Sequence, residues 1–225
     1  MAAQALKAAA LATLWAAAAA TAAPTLCERG LRQSPIDITA TWPASGPALR
    51  FGYTGGPARI VNDGHTVRVH FAGASRLFVG DEAMKLGQFH FHRPGGDEIG
   101  GEAFPLAMHY LHKSRSGQLV ALVVLFRLGA ENKALAALLP LFPAQGERRV
   151  PSGVVDPAAL LPTDKGYYAY DGSLTAPPCT EGVRWIVLRQ ALEISPAQMA
   201  ALARLFPVNA RAVQPLNGRI VIAVP

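Results

Sequence analysis

The residues with the clearest chemical capacity run from Gln88 to His92, Gln-Phe-His-Phe-His. In an extended strand, side chains two apart share a face. Gln88, His90 and His92 therefore line one surface, while Phe89 and Phe91 pack into the other. The two Cα atoms stand about 6.6 Å apart at strand rise, which lets both rings reach one zinc ion, whose bonds to nitrogen are about 2.0–2.1 Å. A third ligand has to come from elsewhere. His109, in the apolar run Phe104 to Leu111, is the first good candidate if that run pairs beside the first as a hairpin arm. Three His ligands leave one tetrahedral position open to water, as in catalytic rather than structural zinc sites. Alternating His and Phe also fits an ordinary half-buried strand, so the company these residues keep decides between the two.

That company includes a side-chain amide at Gln88, on the ligand face, which can accept the spare N–H of His90 and fix its tautomer. His65 follows the turn Asn62-Asp63-Gly64. The imidazole is the side chain whose charge changes near neutral pH, which suits a loop-to-strand junction that passes protons between a buried site and solvent. Leu174-Thr175-Ala176-Pro177-Pro178 is a stiff apolar loop with a single hydroxyl, able to accept a hydrogen bond from a nucleophile and direct it. His70 falls on the opposite face from His65, and His112, three beyond His109, faces away from it; both read as structural.

The elements that must position these residues are mainly strands. Strand-like runs occur at Ala58 to Val61, Thr66 to Phe71, Arg76 to Val79, Leu86 to His92, Phe104 to Leu111, Leu119 to Arg127, Val183 to Arg189 and Arg219 to Ala223, separated by turn residues. Most neighbours are too close for helical crossovers, so antiparallel pairing is the default. Helices are few. Glu131 to Leu141 is apolar enough for one. Ser195-Pro196-Ala197-Gln198 supplies an N-cap, a first-turn proline and a capping-box glutamine ahead of Met199 to Phe206, with Pro207 as the stop. The expectation is a mainly β single domain with few short helices, built on one large, mostly antiparallel twisted sheet.

The chain has 225 residues, long enough for one domain with a substantial core. Its 51% hydrophobic content is inflated by an alanine-rich start. Lys7, an apolar run from Ala8 to Ala20 and small residues at 20–22 read as a secretory signal over residues 1–23, with the mature domain at 24–225. That run is short and only mildly hydrophobic for a membrane anchor, so no span is expected once it is cleaved, and the mature protein is expected to be periplasmic or secreted. Cys27 and Cys179 are the two cysteines. In an oxidising compartment a lone pair favours a bridge, and no C-x-x-C spacing points to redox chemistry. The net charge of +6 comes from scattered arginines, with no basic run interleaved with aromatics, which argues against nucleic acid as a partner.

Taken together the motifs resemble the alpha-class carbonic anhydrases of the bacterial, exported type. They are Q-S-P-I-D-I at Gln33, N-D-G-H at Asn62, Q-F-H-F-H at Gln88, H-x-x-H at His109, S-L-T-A-P-P-C-T-E-G at Ser173, R-W-I-V-L at Arg184 and Q-P-L-N-G-R at Gln214. The resemblance implies reversible hydration of carbon dioxide to bicarbonate and a proton by a monomer or homodimer. His90, His92 and His109 would hold Zn2+, Thr175 would orient the bound hydroxide and His65 would shuttle protons. Gln88 and Asn209 would support His90 and His92. Leu111, Ala121, Leu174, Val183 and Trp185 would form the apolar pocket for carbon dioxide, and Cys27 and Cys179 match the family's common disulfide.

The chain departs from the family pattern in four places. Gly95, Gly96 and Asp97 stand where Ser-Glu-His is usual, which removes the glutamate that accepts from the threonine hydroxyl; Asp97 or Glu98 is expected to replace it. Ala107 stands where a glutamate usually orients the third ligand. Leu111 is bulkier and Ala121 smaller than the usual valines. The aromatic segment that normally precedes the first cysteine is almost absent. The two missing carboxylates support a second reading, a catalytically weakened zinc-binding or scaffold protein of the same family.

Overall fold

A computed structural model describes residues 25–225; the expected signal segment at 1–23 lies outside the described residues. The main sheet has thirteen strands. In chain order its principal strands are β1 (Ala58–Asn62), β2 (Val67–Phe71), β3 (Arg76–Val79), β4 (Glu82–His92), β5 (Leu106–Ser114), β6 (Leu119–Leu128), β7 (Tyr167–Ser173), β8 (Glu181–Leu188) and β9 (Ile222–Val224). Across the sheet they lie in the order β1, β2, β4, β5, β6, β8, β7, β9, edged by Arg148–Arg149 beside β1 and Trp42–Pro43 beside β9. Beyond β2, β3 pairs with the first half of β4. Most pairs are antiparallel. The parallel ones join β6 to β8, β6 to Leu192–Ile194, and β9 to Trp42–Pro43.

Burial follows from these neighbours. β6 is covered on both faces, so it reads as the continuous apolar run Leu119-Val-Ala-Leu-Val-Val-Leu-Phe and is buried from Val120 to Phe126. On one face Phe89, Phe91, Met108, Tyr110, Leu122 and Val124 form the larger core, closed by helices α1 (Lys133–Leu138) and α2 (Pro196–Leu205) through Leu135, Leu138 and Leu202. On the other face a smaller core gathers Ile36, Phe104, Ala107, Ala121, Val123, Tyr170 and Trp185. The chemistry-bearing residues lie on this second side.

The capping box of α2 forms as expected, with Ser195 Oγ accepting from Gln198 N at 3.3 Å and Ser195 N donating to Gln198 Oε1 at 3.2 Å. The apolar run 131–141 splits into α1, capped by Asn132, and a 3-10 turn over Leu139–Leu141. Two strand expectations need correction. Tyr167–Ser173 is a full strand between β8 and β9. The last strand starts at Ile222 instead of Arg219, because the Arg219 guanidinium donates to the Leu216, Pro215 and Asp171 carbonyls and holds that residue in the preceding turn.

Candidate metal centre

β4 and β5 run antiparallel with His90 directly opposite His109. His92, two residues along β4, shares their face. The ring centroids of the three histidines are 4.9 Å (His90 to His92), 5.4 Å (His90 to His109) and 4.5 Å (His92 to His109) apart. One ring nitrogen from each lies within 4.8 Å of the other two. His90 Nε2 and His92 Nε2 are 3.0 Å apart, close to the roughly 3.3 Å that tetrahedral bonds to zinc impose on two nitrogens. Three neutral nitrogen donors at this spacing fit zinc.

The environment keeps the rings neutral, which is the ligating form. Burial holds the pKa of His90 and His109 well below the usual imidazole value, and the neighbouring histidines add to it. Burial pushes His92 down to about 4, opposed by the Asn209 backbone. Gln88 Oε1 lies 3.0 Å from His90 Nδ1. That contact assigns the proton to Nδ1 and leaves the Nε2 lone pair on the cluster side. His92 Nδ1 and His109 Nε2 are buried without a well-formed hydrogen bond. For His109 the cause is plain: Ala107, two residues earlier on the same face, offers only a methyl group.

Asn209 acts on the strand more than on the ring. Its Oδ1 accepts from Arg93 N at 2.8 Å, and its Nδ2 donates to Phe91 O at 3.1 Å and His65 O at 2.8 Å. It therefore ties the end of β4 to the exposed turn that carries His65. His112 faces away from the cluster, buried against the Tyr53 hydroxyl at 2.6 Å.

Beside the histidines lies a small cavity of about 160 Å3. Leu111, Ala121, Leu174, Val183 and Trp185 line it, together with Gln88, His90, His109 and Thr175. The Trp185 ring meets the His109 ring edge-on at 5.1 Å, and its Nε1 donates to Ser173 O at 3.0 Å. Thr175 reaches the cavity from the loop after β7, which the Cys27–Cys179 disulfide anchors.

A sequence profile of the eukaryotic-type carbonic anhydrases matches residues 14–225. The chain belongs to this family. It is 39% identical over 202 residues to the carbonic anhydrase of Pectobacterium carotovorum, covering 88% of this chain and 82% of that protein. Dioscorin DB3S of Dioscorea polystachya is 36% identical over 206 residues, 87% of this chain and 76% of its own. The solved alpha-carbonic anhydrase of Photobacterium profundum superposes with a TM-score of 0.83 at 38% identity, covering 88% of this chain and 91% of that one.

Against that family background, the carboxylate expected to replace the glutamate at position 96 is otherwise engaged. Asp97 is fully buried, and its Oδ1 accepts from Ile36 N at 3.1 Å and from the Tyr170 hydroxyl at 2.7 Å. Burial pushes its carboxyl up to about 6, against the lowering effect of those two donors. Glu98 lies in a two-residue strand opposite Asp37. Among the described residues neither is hydrogen-bonded to Thr175, so the expected replacement does not form. Sequence reasoning also passed over Tyr170, Ser34 and Ser173. Ser34 and Ser173 exchange N–H to hydroxyl bonds of 3.0 and 3.1 Å behind the Thr175 loop. Ser34 and Ser173 lie inside quoted motifs, but nothing in their spacing reveals the pairing.

Proposed function

We propose that the chain is a zinc-dependent carbonate dehydratase, a lyase that interconverts carbon dioxide and bicarbonate, with His90, His92 and His109 as the metal ligands. The observation that carries this reading is the convergence of three neutral imidazoles beside an apolar cavity. When bound, zinc acidifies water so that a nucleophile exists at neutral pH, the established behaviour of carbonic anhydrases as a class.

The chain's own residues do the rest. Gln88 fixes the His90 tautomer. Leu111, Ala121, Leu174, Val183 and Trp185 offer carbon dioxide a small apolar recess, which suits a neutral molecule with no group for a charged clamp to grip. The Thr175 hydroxyl orients the nucleophile at the edge of that recess. His65, exposed on its turn and tethered to the end of β4 through Asn209, carries the proton released by hydration to bulk water. The disulfide and the alanine-rich segment at 1–23 support export to an oxidising compartment, and no described helix is long and apolar enough to cross a membrane.

The unpartnered His109 Nε2 and the glycine at position 96 favour the second reading, a weakened or purely binding relative. Stopped-flow hydration of carbon dioxide by protein of measured zinc content separates the two. Zinc-loaded protein is expected to exceed background, with both zinc and activity lost in His90→Ala. Full zinc occupancy without turnover would establish the binding reading instead.

A further inference from the structure

The sheet face that bears the histidines continues beyond them, and its chemistry changes within two residues. Strand register sets the side chains in rungs. Arg68, His90, His109 and Val123 form the first rung, followed by Arg59, His70, Gln88, Leu111 and Ala121. In β4, Gly87 is skipped, since Gln88 pairs with Leu111 while Leu86 pairs with His112. This bulge keeps Lys85 on the same face as Gln88, three residues away instead of two. The next rung is therefore Arg76, Lys85, Lys113 and Leu119.

Three cations thus stand on three adjacent strands, within about 10 Å at normal strand spacing. Like charges directly opposite each other cost stability in a sheet, and no carboxylate offsets them. Among the described residues the sole salt bridge is Arg68 with Asp63, one turn away at the far rung. These side chains wall a concavity of about 790 Å3. Arg76, Lys85, Lys113 and Arg115 stand around it, Leu111 and Leu119 give it an apolar surface, and no acidic residue lines it. The turn closed by Gly117 N to Ser114 O bounds its far end. Gln88 and Leu111 line both this trough and the small cavity beside the histidines.

We propose that this trough is a second binding site, for a small organic polycarboxylate with an apolar body, bound at the mouth of the metal centre without ligating the metal. Its size lies within the range of small-molecule sites. The cations offer charge-assisted hydrogen bonds to several carboxylates at once, while the apolar surface receives the carbon skeleton, which a bare inorganic anion lacks. The site does not depend on the activity proposed above, because none of its cations belongs to the histidine cluster.

The test is calorimetric titration of benzene-1,3,5-tricarboxylate into the zinc-loaded protein, the metal-stripped protein and the double variant Lys85→Gln/Lys113→Gln. Both lysines are exposed and opposite each other, so the variant relieves a like-charge pair and keeps the fold, as a thermal melt will verify. Saturable binding is expected that weakens with salt, survives metal removal and drops about tenfold or more in the double variant. Absence of saturable binding overturns the proposal, as does binding indifferent to the two lysines. Binding that disappears with the metal also overturns it, because the carboxylate would then be a zinc ligand.

Discussion

Thr66 and Phe91 exchange two hydrogen bonds at the point where β4 passes between His90 and His92. Thr66 Oγ1 donates to Phe91 O at 2.6 Å and accepts from Phe91 N at 3.2 Å. The hydroxyl is fully buried, so the backbone between two metal-side histidines is held by a side chain of the neighbouring segment. Thr66→Val keeps the shape and removes both bonds, leaving the Phe91 N–H unpaired. It is expected to cost about 1–3 kcal/mol of stability and to weaken zinc binding, whereas Thr66→Ser retains both. Urea unfolding and competition with a chromogenic chelator measure the two effects.

At Ala107 the expected change is a gain. His109 Nε2 has no acceptor, and the Ala107 side chain lies on the same face two residues earlier. Ala107→Glu would supply one, and an acceptor behind a ligating histidine is typically worth about 10–100-fold in metal affinity or activity. A Cβ on Gly95 would sit 3.4 Å from the Ala107 Cβ, so the longer side chain also crowds the strand and should cost about 1–3 kcal/mol in stability. Slower zinc loss to a chelator alongside a lower melting temperature is the expected pair of results; unchanged zinc loss would mean that the carboxylate does not reach the ring.

The metal cluster was legible in the sequence because period-two alternation makes His90 and His92 neighbours on a face, and antiparallel pairing of the next long apolar run brings His109 alongside. The strand Tyr167–Ser173 was not. Its Tyr-Tyr-Ala-Tyr-Asp-Gly-Ser composition lacks the aliphatic alternation of its neighbours, and its burial follows from a place between two other strands that only long-range pairing confers. Gly172 reads as a turn signal. It is there because Ser34 and Trp185 crowd its α-carbon, with a Cβ landing 2.8 Å from Trp185 Cδ1. Asp97 was misread for a related reason: proximity in sequence to Gly96 suggested a partner in Thr175, but burial beside Tyr170 and Ile36 N claims its carboxylate first.

His112 makes stability pH-dependent on the acid side. Burial pushes its pKa down to about 3, against a raising effect from the Val120 and Tyr110 backbone. An unfolded imidazole titrates near 6.5. Its contribution is therefore intact above about pH 6.5 and drains away as pH falls toward 3, because the unfolded chain takes up a proton that the folded ring refuses. The difference in unfolding free energy between the metal-free wild type and metal-free His112→Gln should be flat above pH 6.5. Below it the wild type should lose up to about 1.4 kcal/mol per pH unit relative to the variant. Parallel profiles would show that the folded ring takes up its proton as readily as the unfolded one.

The disulfide and a polar clamp hold the same loop, and they should fail differently. Cys27 and Cys179 close a loop of 152 residues, so reduction should lower stability by about 5 kcal/mol in the chain-entropy model. Yet the Thr175 loop has other tethers. Gln33 Nε2 donates to Cys179 O at 3.2 Å and to Glu181 Oε1 at 2.9 Å, and Arg211 donates to Gln33 Oε1 at 2.7 Å, to Ser34 O at 3.1 Å and to Cys27 O. These bonds fix the loop in the folded state, whereas the disulfide acts mainly by restricting the unfolded one. Cys27→Ser/Cys179→Ser should therefore melt much lower but keep most of its kcat/KM at 25 °C. Gln33→Ala, with the disulfide intact, should lose activity out of proportion to its smaller loss of stability. Equal activity losses in the two variants would show that the covalent bond, and not the amide and guanidinium, positions Thr175.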